Sequence, residues 1–293
     1  MIVIKLQGGL GNQMFQYAFG RAIQNKLGGE LILDTSDYKF DKLRKLSLDN
    51  FVLNEELKYN NRGSFNILYD QRTNYLIKIF VKFAPNILFS VLSTFGIYIW
   101  DDAVFKDFTV SSSNKNIYLH GYWQSERYFK EISSMILKEL QVKTSVKVDN
   151  LDIYNLIAST ESVCVHIRRG DFLSNSNSLK VCEQEYFLKG MDLIASRVEN
   201  PVFIIFSDDI SDVKRNFDFK GYNINFVEKN NQDYEELQLM YSCKHFIISN
   251  STFSWWAQYL SQNRNKIVIA PKVWYTDGKN SDGLMMDKWI VIS

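Results

Sequence analysis

Between residues 163 and 270 the chain alternates short β-branched and aromatic runs with longer segments of helical period. The runs are VCVHI (163–167), VFIIF (202–206), NINFV (223–227), HFIIS (245–249) and KIVIA (266–270). Each is bounded by polar or turn-forming residues, as strands are. In the first intervening segment Phe187, Met191, Ile194 and Val198 fall at i, i+4, i+7 and i+11, a single helical stripe. Strands that are apolar throughout must be covered on both faces, and strands joined through helices run parallel. This pattern restricts the second half to a doubly wound α/β domain.

The first half opens the same way. IVIKL (2–6) is a strand, a glycine turn follows, and Phe15, Ala18, Phe19, Ala22, Ile23 and Leu27 form the apolar face of a helix. Gly28-Gly29 ends that helix, and LILD (31–34) is the next strand. IYLHGYW (117–123) reads as a late strand of the same sheet, while 40–115 is less patterned. The polar, aperiodic stretch QVKTSVKVDN (141–150) places a boundary between a domain at 1–148 and another at 149–293. Two such α/β domains facing each other make a cleft, a common place for a ligand.

Charge and cysteine usage narrow the partners. Lys+Arg 34 against Asp+Glu 33 leaves +1, so no global field attracts nucleic acid, and only a local cluster can hold an anion. Cys164, Cys182 and Cys243 form no CxxC, and His120, His166 and His245 have no metal-ligand spacing. A reducing cytoplasmic setting and no bound metal are expected. MIVIKLQGG lacks a signal peptide's basic region. Residues 83–100, FAPNILFSVLSTFGIYIW, carry no charge but are interrupted by Pro85, Asn86, Ser90, Ser93, Thr94 and Gly96. They read as a packed helix followed by a strand ending at Trp100, not as a span. Lys78 and Lys82 just before them leave room for peripheral contact with the inner face of a membrane.

Three motifs carry chemistry. In GGLGNQMFQYA (8–18), a strand, a glycine turn and a helix N-terminus make an anion cradle, with Gly9, Gly11, Asn12 and Gln13 as candidate contacts. Gly9-x-Gly11 with Asp34 imitates a dinucleotide fingerprint, but its third glycine position is Met14. In VCVHIRRGDF (163–172) a buried strand ends in His166, Arg168, Arg169 and Asp171. Guanidinium groups grip phosphate bidentately, and in open parallel sheets ligands sit beyond the carboxyl ends of strands. Alternation puts His166 and Arg168 on one face, so Arg169 points elsewhere. In HFIISNSTFSWWAQYL (245–260), Asn250, Ser251, Thr252 and Ser254 stand at a strand-to-helix junction suited to phosphate or ribose. Trp255 and Trp256 read as core. Asp208 and Glu236 are acidic groups able to bind guanine N–H donors. HGYWQSERYF (120–129) gathers Tyr122, Trp123, Gln124 and Glu126 as acceptor-side candidates.

In this order and spacing, GGLGNQMFQYA, HIRRGD, GYWQSERYF and SNSTFSWWAQYL resemble the bacterial α-1,2-fucosyltransferases of glycosyltransferase family 11. The resemblance implies a GT-B fold with two Rossmann-like domains, GDP-β-L-fucose as donor, no metal, and inversion to an α-1,2 linkage on galactose. The acceptor is then a galactose-terminated oligosaccharide or glycolipid. The resemblance further implies that Arg168 holds the β-phosphate, His166 lies along the nucleotide, Ser251 and Thr252 contact the diphosphate, and Glu236 or Asp208 meets the guanosine. Gly11 and Asn12 reach the fucose and phosphate. The base that accepts the acceptor proton is Asp171, then Glu126, or else water or phosphate takes the proton directly. An α-1,6-fucosyltransferase, an NAD-dependent oxidoreductase and a non-catalytic carbohydrate-binding protein are the competing classes.

Overall fold

A computed structural model describes residues 1–41, 43–63, 83–100, 104–169, 182–228, 230–275 and 281–293. The chain forms two compact units, Met1–Leu140 and Gln141–Ser293.

The first unit runs β1 (Ile2–Lys5), α1 (Leu10–Leu27), β2 (Leu31–Asp34), β3 (Lys58–Asn60), α2 (Pro85–Ser93), β4 (Ile97–Trp100), β5 (Ile117–Gly121) and α3 (Ser133–Glu139). Its five-stranded sheet has the order β3-β2-β1-β5-β4, parallel throughout. β1 is central because Ile2, Val3 and Ile4 are all buried. α1 stops where Gly28 turns to φ +72° and its N–H closes on the Gln24 carbonyl at 2.8 Å. Residues 83–100 give helix then strand, α2 and β4, as their interruptions suggest. Among the described residues no helix is long and apolar enough to cross a membrane, and Lys78 and Lys82 lie outside them.

The second unit runs α4 (Leu151–Ser159), β6 (Glu161–Ile167), α5 (Gln184–Ala195), β7 (Pro201–Ser207), α6 (Ile210–Asn216), β8 (Ile224–Phe226), α7 (Asp233–Ser242), β9 (His245–Ile247), α8 (Thr252–Leu260), β10 (Val268–Pro271) and β11 (Ile290–Ile292). Its parallel sheet has the order β11-β10-β9-β6-β7-β8. Val163, Val165 and Ile167 of β6 share one core with Phe187, Met191 and Ile194 of α5. α5 approaches β9 at Gly190, where an added Cβ would lie 2.9 Å from Ile247 Cγ2. Val198 also reaches that core, although it lies past the helix end.

Two strands are absent from the sequence expectation. β3 (KYN) is mostly polar and exposed, and β11 (IVI) is apolar but only three residues long and partly exposed. Their pairing partners define them instead.

Candidate functional site

Each sheet has a point where its neighbours lead the chain in opposite directions, and ligands of such sheets bind there. In the second unit this point lies between β6 and β9. Their carboxyl ends are bridged by His166 Nδ1 and Ser249 Oγ, 3.1 Å apart. The His166 ring is buried, also meets Phe253, and has its pKa lowered to about 3, first by burial and then by Arg168. It is therefore neutral, and its Nδ1 meets the hydroxyl of Ser249 in the loop after β9.

The two arginines that follow β6 diverge, as strand alternation requires. Arg169 Nε donates to Asp212 Oδ2 of α6 at 2.8 Å, and its guanidinium lies over the Phe217 ring. That hydrogen bond is the main reason the Asp212 carboxyl is held below its usual range. Arg169 thus ties the end of β6 to α6. Arg168 Nε stands 3.2 Å from Asp208 Oδ2, while Asp208 Oδ1 accepts from the Arg169 backbone N–H at 2.7 Å. Asp208 therefore fixes both the chain and the guanidinium after β6.

Glu236, on α7, completes this cluster. Its pKa is raised to about 7, chiefly by desolvation, then by Asp208, with Arg168 acting in the opposite direction. The folded protein therefore binds this proton more tightly than the unfolded chain. Stability from this group is full below pH 4.5 and is lost as pH rises through 7. Glu236→Gln should stabilise the ligand-free protein at pH 8 by on the order of 2 kcal/mol. The gain should shrink toward pH 5, as urea midpoints at both pH values would show. A gain independent of pH would refute the assignment.

Ser251 caps α8, its Oγ accepting from Phe253 N–H at 3.3 Å. Ser251 and Thr252 remain partly exposed at that helix start. Asn250 is committed elsewhere: its Nδ2 donates to the Trp274 carbonyl at 2.8 Å in a buried setting. That bond anchors the strand-to-helix loop. Trp255 and Trp256 are core, and Trp255 stacks on Tyr259 with centroids 4.9 Å apart. Asp171 lies outside the described residues.

In the first unit the corresponding point lies between β1 and β5. Gly8, at φ +77°, makes the turn, and Gly9 caps α1 without a capping side chain. The positive φ of Gly8 calls for glycine, and a Cβ there would also push the Asn12 amide aside, falling 2.7 Å from its Nδ2. The adjacent amides Asn12 and Gln13 separate. Gln13 is 0% exposed, donates to the Gly8 and Lys45 carbonyls at 3.2 and 2.8 Å, and accepts from Ser47 N–H at 3.0 Å. It ties the turn to the loop after β2. Asn12 stays partly exposed, and its Oδ1 accepts from Gln124 Nε2 at 2.9 Å. Gly11 is buried within the first turn of α1.

Gln124 belongs to the segment after β5, which is bound to the glycine motif at further points. Gln16 Nε2 donates to the Gly121 carbonyl at 3.1 Å, and His120 Nε2 lies 3.3 Å from Gln7 Oε1. His120 is buried and pushed to about 4 by desolvation, then by Lys5. Trp123 is 0% exposed and stacks on Phe19 at 4.3 Å, packed in the core of this unit. Tyr122 and Glu126 remain partly exposed.

Sequence reasoning missed Ser249, Gln7, Gln16 and His120. All four lie within or beside the quoted motifs, but their partners are 83 to 113 residues away, and only strand order brings them together.

A family model described as Glycosyl transferase family 11 matches residues 1–293. An Escherichia coli protein named alpha-1,2-colitosyltransferase is 32% identical over 306 residues, covering 100% of this chain and 99% of its own. The Escherichia coli O-antigen biosynthesis glycosyltransferase WbnK is 32% identical over 310 residues, covering 97% and 98%. Among solved structures, the fucosyltransferase NodZ from Bradyrhizobium aligns with a TM-score of 0.52 and 12% identity, over 88% of this chain and 91% of that one. That likeness speaks to the fold, two Rossmann-like units of GT-B type. With the family match running from the first residue to the last, the glycine turn, the Arg168 strand end and the serine-rich helix start find a common origin, and the chain belongs to glycosyltransferase family 11.

Proposed function

We propose that this glycosyltransferase moves L-fucose from GDP-β-L-fucose to the 2-hydroxyl of a β-galactoside, with inversion and without a metal. The observation that carries the donor assignment is the Arg168 guanidinium at the carboxyl end of β6, held by Asp208 with Glu236 nearby. Breaking the sugar C1–O bond leaves negative charge on the diphosphate. Arg168 exchanges part of its contact with Asp208 for the β-phosphate, and the partly exposed hydroxyls of Ser251 and Thr252 add donors at a helix start. The freed carboxylates, Asp208 or Glu236, accept the guanine N–H groups. The acceptor oxygen bonds to C1 as GDP leaves. The acceptor proton passes to Asp171 or Glu126, or to water or phosphate.

The second reading changes only the sugar. A relative of 32% identity is named a colitosyltransferase. Colitose is fucose without its 3-hydroxyl, so the same phosphate and base contacts serve either donor. The test offers GDP-fucose and GDP-colitose with a panel of β-galactosides, with and without EDTA, scoring GDP release and product linkage. Transfer to O2 of galactose from GDP-fucose, unaffected by EDTA, is the expected result. Preference for GDP-colitose selects the second reading, a 1,6 linkage selects the other fucosyltransferase class, and NADH binding without GDP binding removes both.

Gln124 acts on this reaction through Asn12. Gln124→Leu and Asn12→Ala should each lower kcat/KM by about 10-fold, the range of one hydrogen bond. The double variant should do no worse than the weaker single one, because both remove the same contact. Fully additive losses would show that the two residues work separately.

A further inference from the structure

The chain after β2 crosses the glycine turn as a strap that is tied on both sides. Tyr38 Oη donates to the Gly8 carbonyl at 2.9 Å, and Lys5 Nζ pairs with Asp37 at 2.9 Å. Gln13 holds the far side through the Lys45 carbonyl at 2.8 Å and Ser47 N–H at 3.0 Å. Between the ties, Asp41 Oδ1 accepts from the N–H groups of Leu43 and Arg44 at 2.8 and 3.0 Å. A segment so constrained nevertheless holds Phe40 85% exposed and Leu43 89% exposed. The Arg44 guanidinium folds back toward the turn, its Nη1 3.7 Å from a Cβ built on Gly9.

Leaving a phenylalanine and a leucine in water forgoes roughly 1.5–3 kcal/mol of burial each. A tether this extensive therefore points to a ligand that covers them. Two apolar side chains fall far short of the roughly 800 Å² per partner of a stable protein interface. Along the same strap the sequence intersperses Lys39, Lys42, Arg44 and Lys45 with Asp37 and Asp41, whose carboxylates disfavour burial in a bilayer. An aromatic ring, a branched aliphatic group and a guanidinium within five residues do suit a pyranoside. Its C–H face packs on the ring, and its hydroxyls accept from the guanidinium.

We propose that Phe40, Leu43 and Arg44 form an acceptor subsite that binds a pyranoside unit of the glycan beside the glycine turn. This rests on the glycosyltransferase reading given above and adds where its acceptor is gripped. Because Phe40 is exposed, Phe40→Ala should leave the melting temperature unchanged. It should raise the acceptor KM about 3- to 10-fold, the range of one aromatic contact, without moving the KM for the donor or GDP release in the absence of acceptor. Phe40→Trp should retain the wild-type acceptor KM, and Leu43→Ser should raise it in the same direction. An unchanged acceptor KM in Phe40→Ala, or an equal shift in the donor KM, would overturn the proposal.

Saturation-transfer NMR with lactose, N-acetyllactosamine and the type 1 disaccharide reads the subsite without turnover, so it stands apart from the choice of donor. Signals lost in Phe40→Ala and kept in Phe40→Trp support the subsite, even if neither GDP-sugar is transferred. Equal signals in wild type and Phe40→Ala, or no signal with any of the three sugars, overturn it. A dimer abolished by Phe40→Asp in sedimentation, or flotation with phosphatidylglycerol vesicles abolished by the same change, would also overturn it, by giving the strap another occupant.

Discussion

Arg168→Ala should lower turnover by about 10²- to 10³-fold, the usual consequence of removing one donor from a developing anion. Arg168→Lys should recover little, because an ammonium cannot reproduce a planar fork that meets Asp208 and, on the proposed mechanism, a phosphate as well. The loss has a second signature. Arg168 is the neighbour that holds the Glu236 carboxyl down against burial and against Asp208. Without it, Glu236 should ionise only at a higher pH than its present value of about 7, and GDP binding by the variant should respond to pH over a more alkaline range. Turnover numbers with calorimetric GDP titrations at pH 6 to 9 would measure both effects. A variant within a few-fold of wild type would take Arg168 out of the mechanism.

Trp123→Ala should destabilise the protein by about 3–5 kcal/mol, the cost of emptying a large aromatic site. The indole stacks on Phe19 and meets Phe108 and the Tyr128 edge, each at 5.6 Å between centroids, so no small shift refills the space. Its backbone adds a less usual element. Trp123 has φ +53°, a left-handed conformation that costs an L-residue about 1–2 kcal/mol. Trp123→Gly should therefore be less damaging than Trp123→Ala by about 1 kcal/mol, reversing the ordinary order of a cavity series. Urea midpoints with unchanged slopes would report both values. Near-native stability together with a raised acceptor KM would instead return the indole to the acceptor.

The packing around Trp123 also shows why the site was only partly legible. Every residue of GYWQSERYF after the glycine is polar or aromatic, and nothing local ranks them. The structure buries Trp123 under Phe19, bonds Gln124 to Asn12, and leaves Tyr122 and Glu126 partly exposed. Asn12 and Gln13 are chemically alike and adjacent, yet the backbone of residues 45–47 takes both ends of the Gln13 amide. Arg168 and Arg169 differ only in parity along the chain. Parity predicted their divergence, but not that Asp212 would receive one and Asp208 the other.

The sequence by itself determined the α/β class, the positions of most apolar strands, the end of α1 at Gly28, and the motifs that mark the family. These follow from periods of two and 3.6 residues and from backbone preferences, which act between near neighbours. Tertiary structure alone decided the strand orders, the edge strands β3 and β11, and which polar groups support and which remain accessible. Those outcomes depend on partners far away along the chain, 113 residues in the case of His120 and Gln7. A buried amide or guanidinium must be satisfied by whatever group the fold brings to it, and no local pattern names that group.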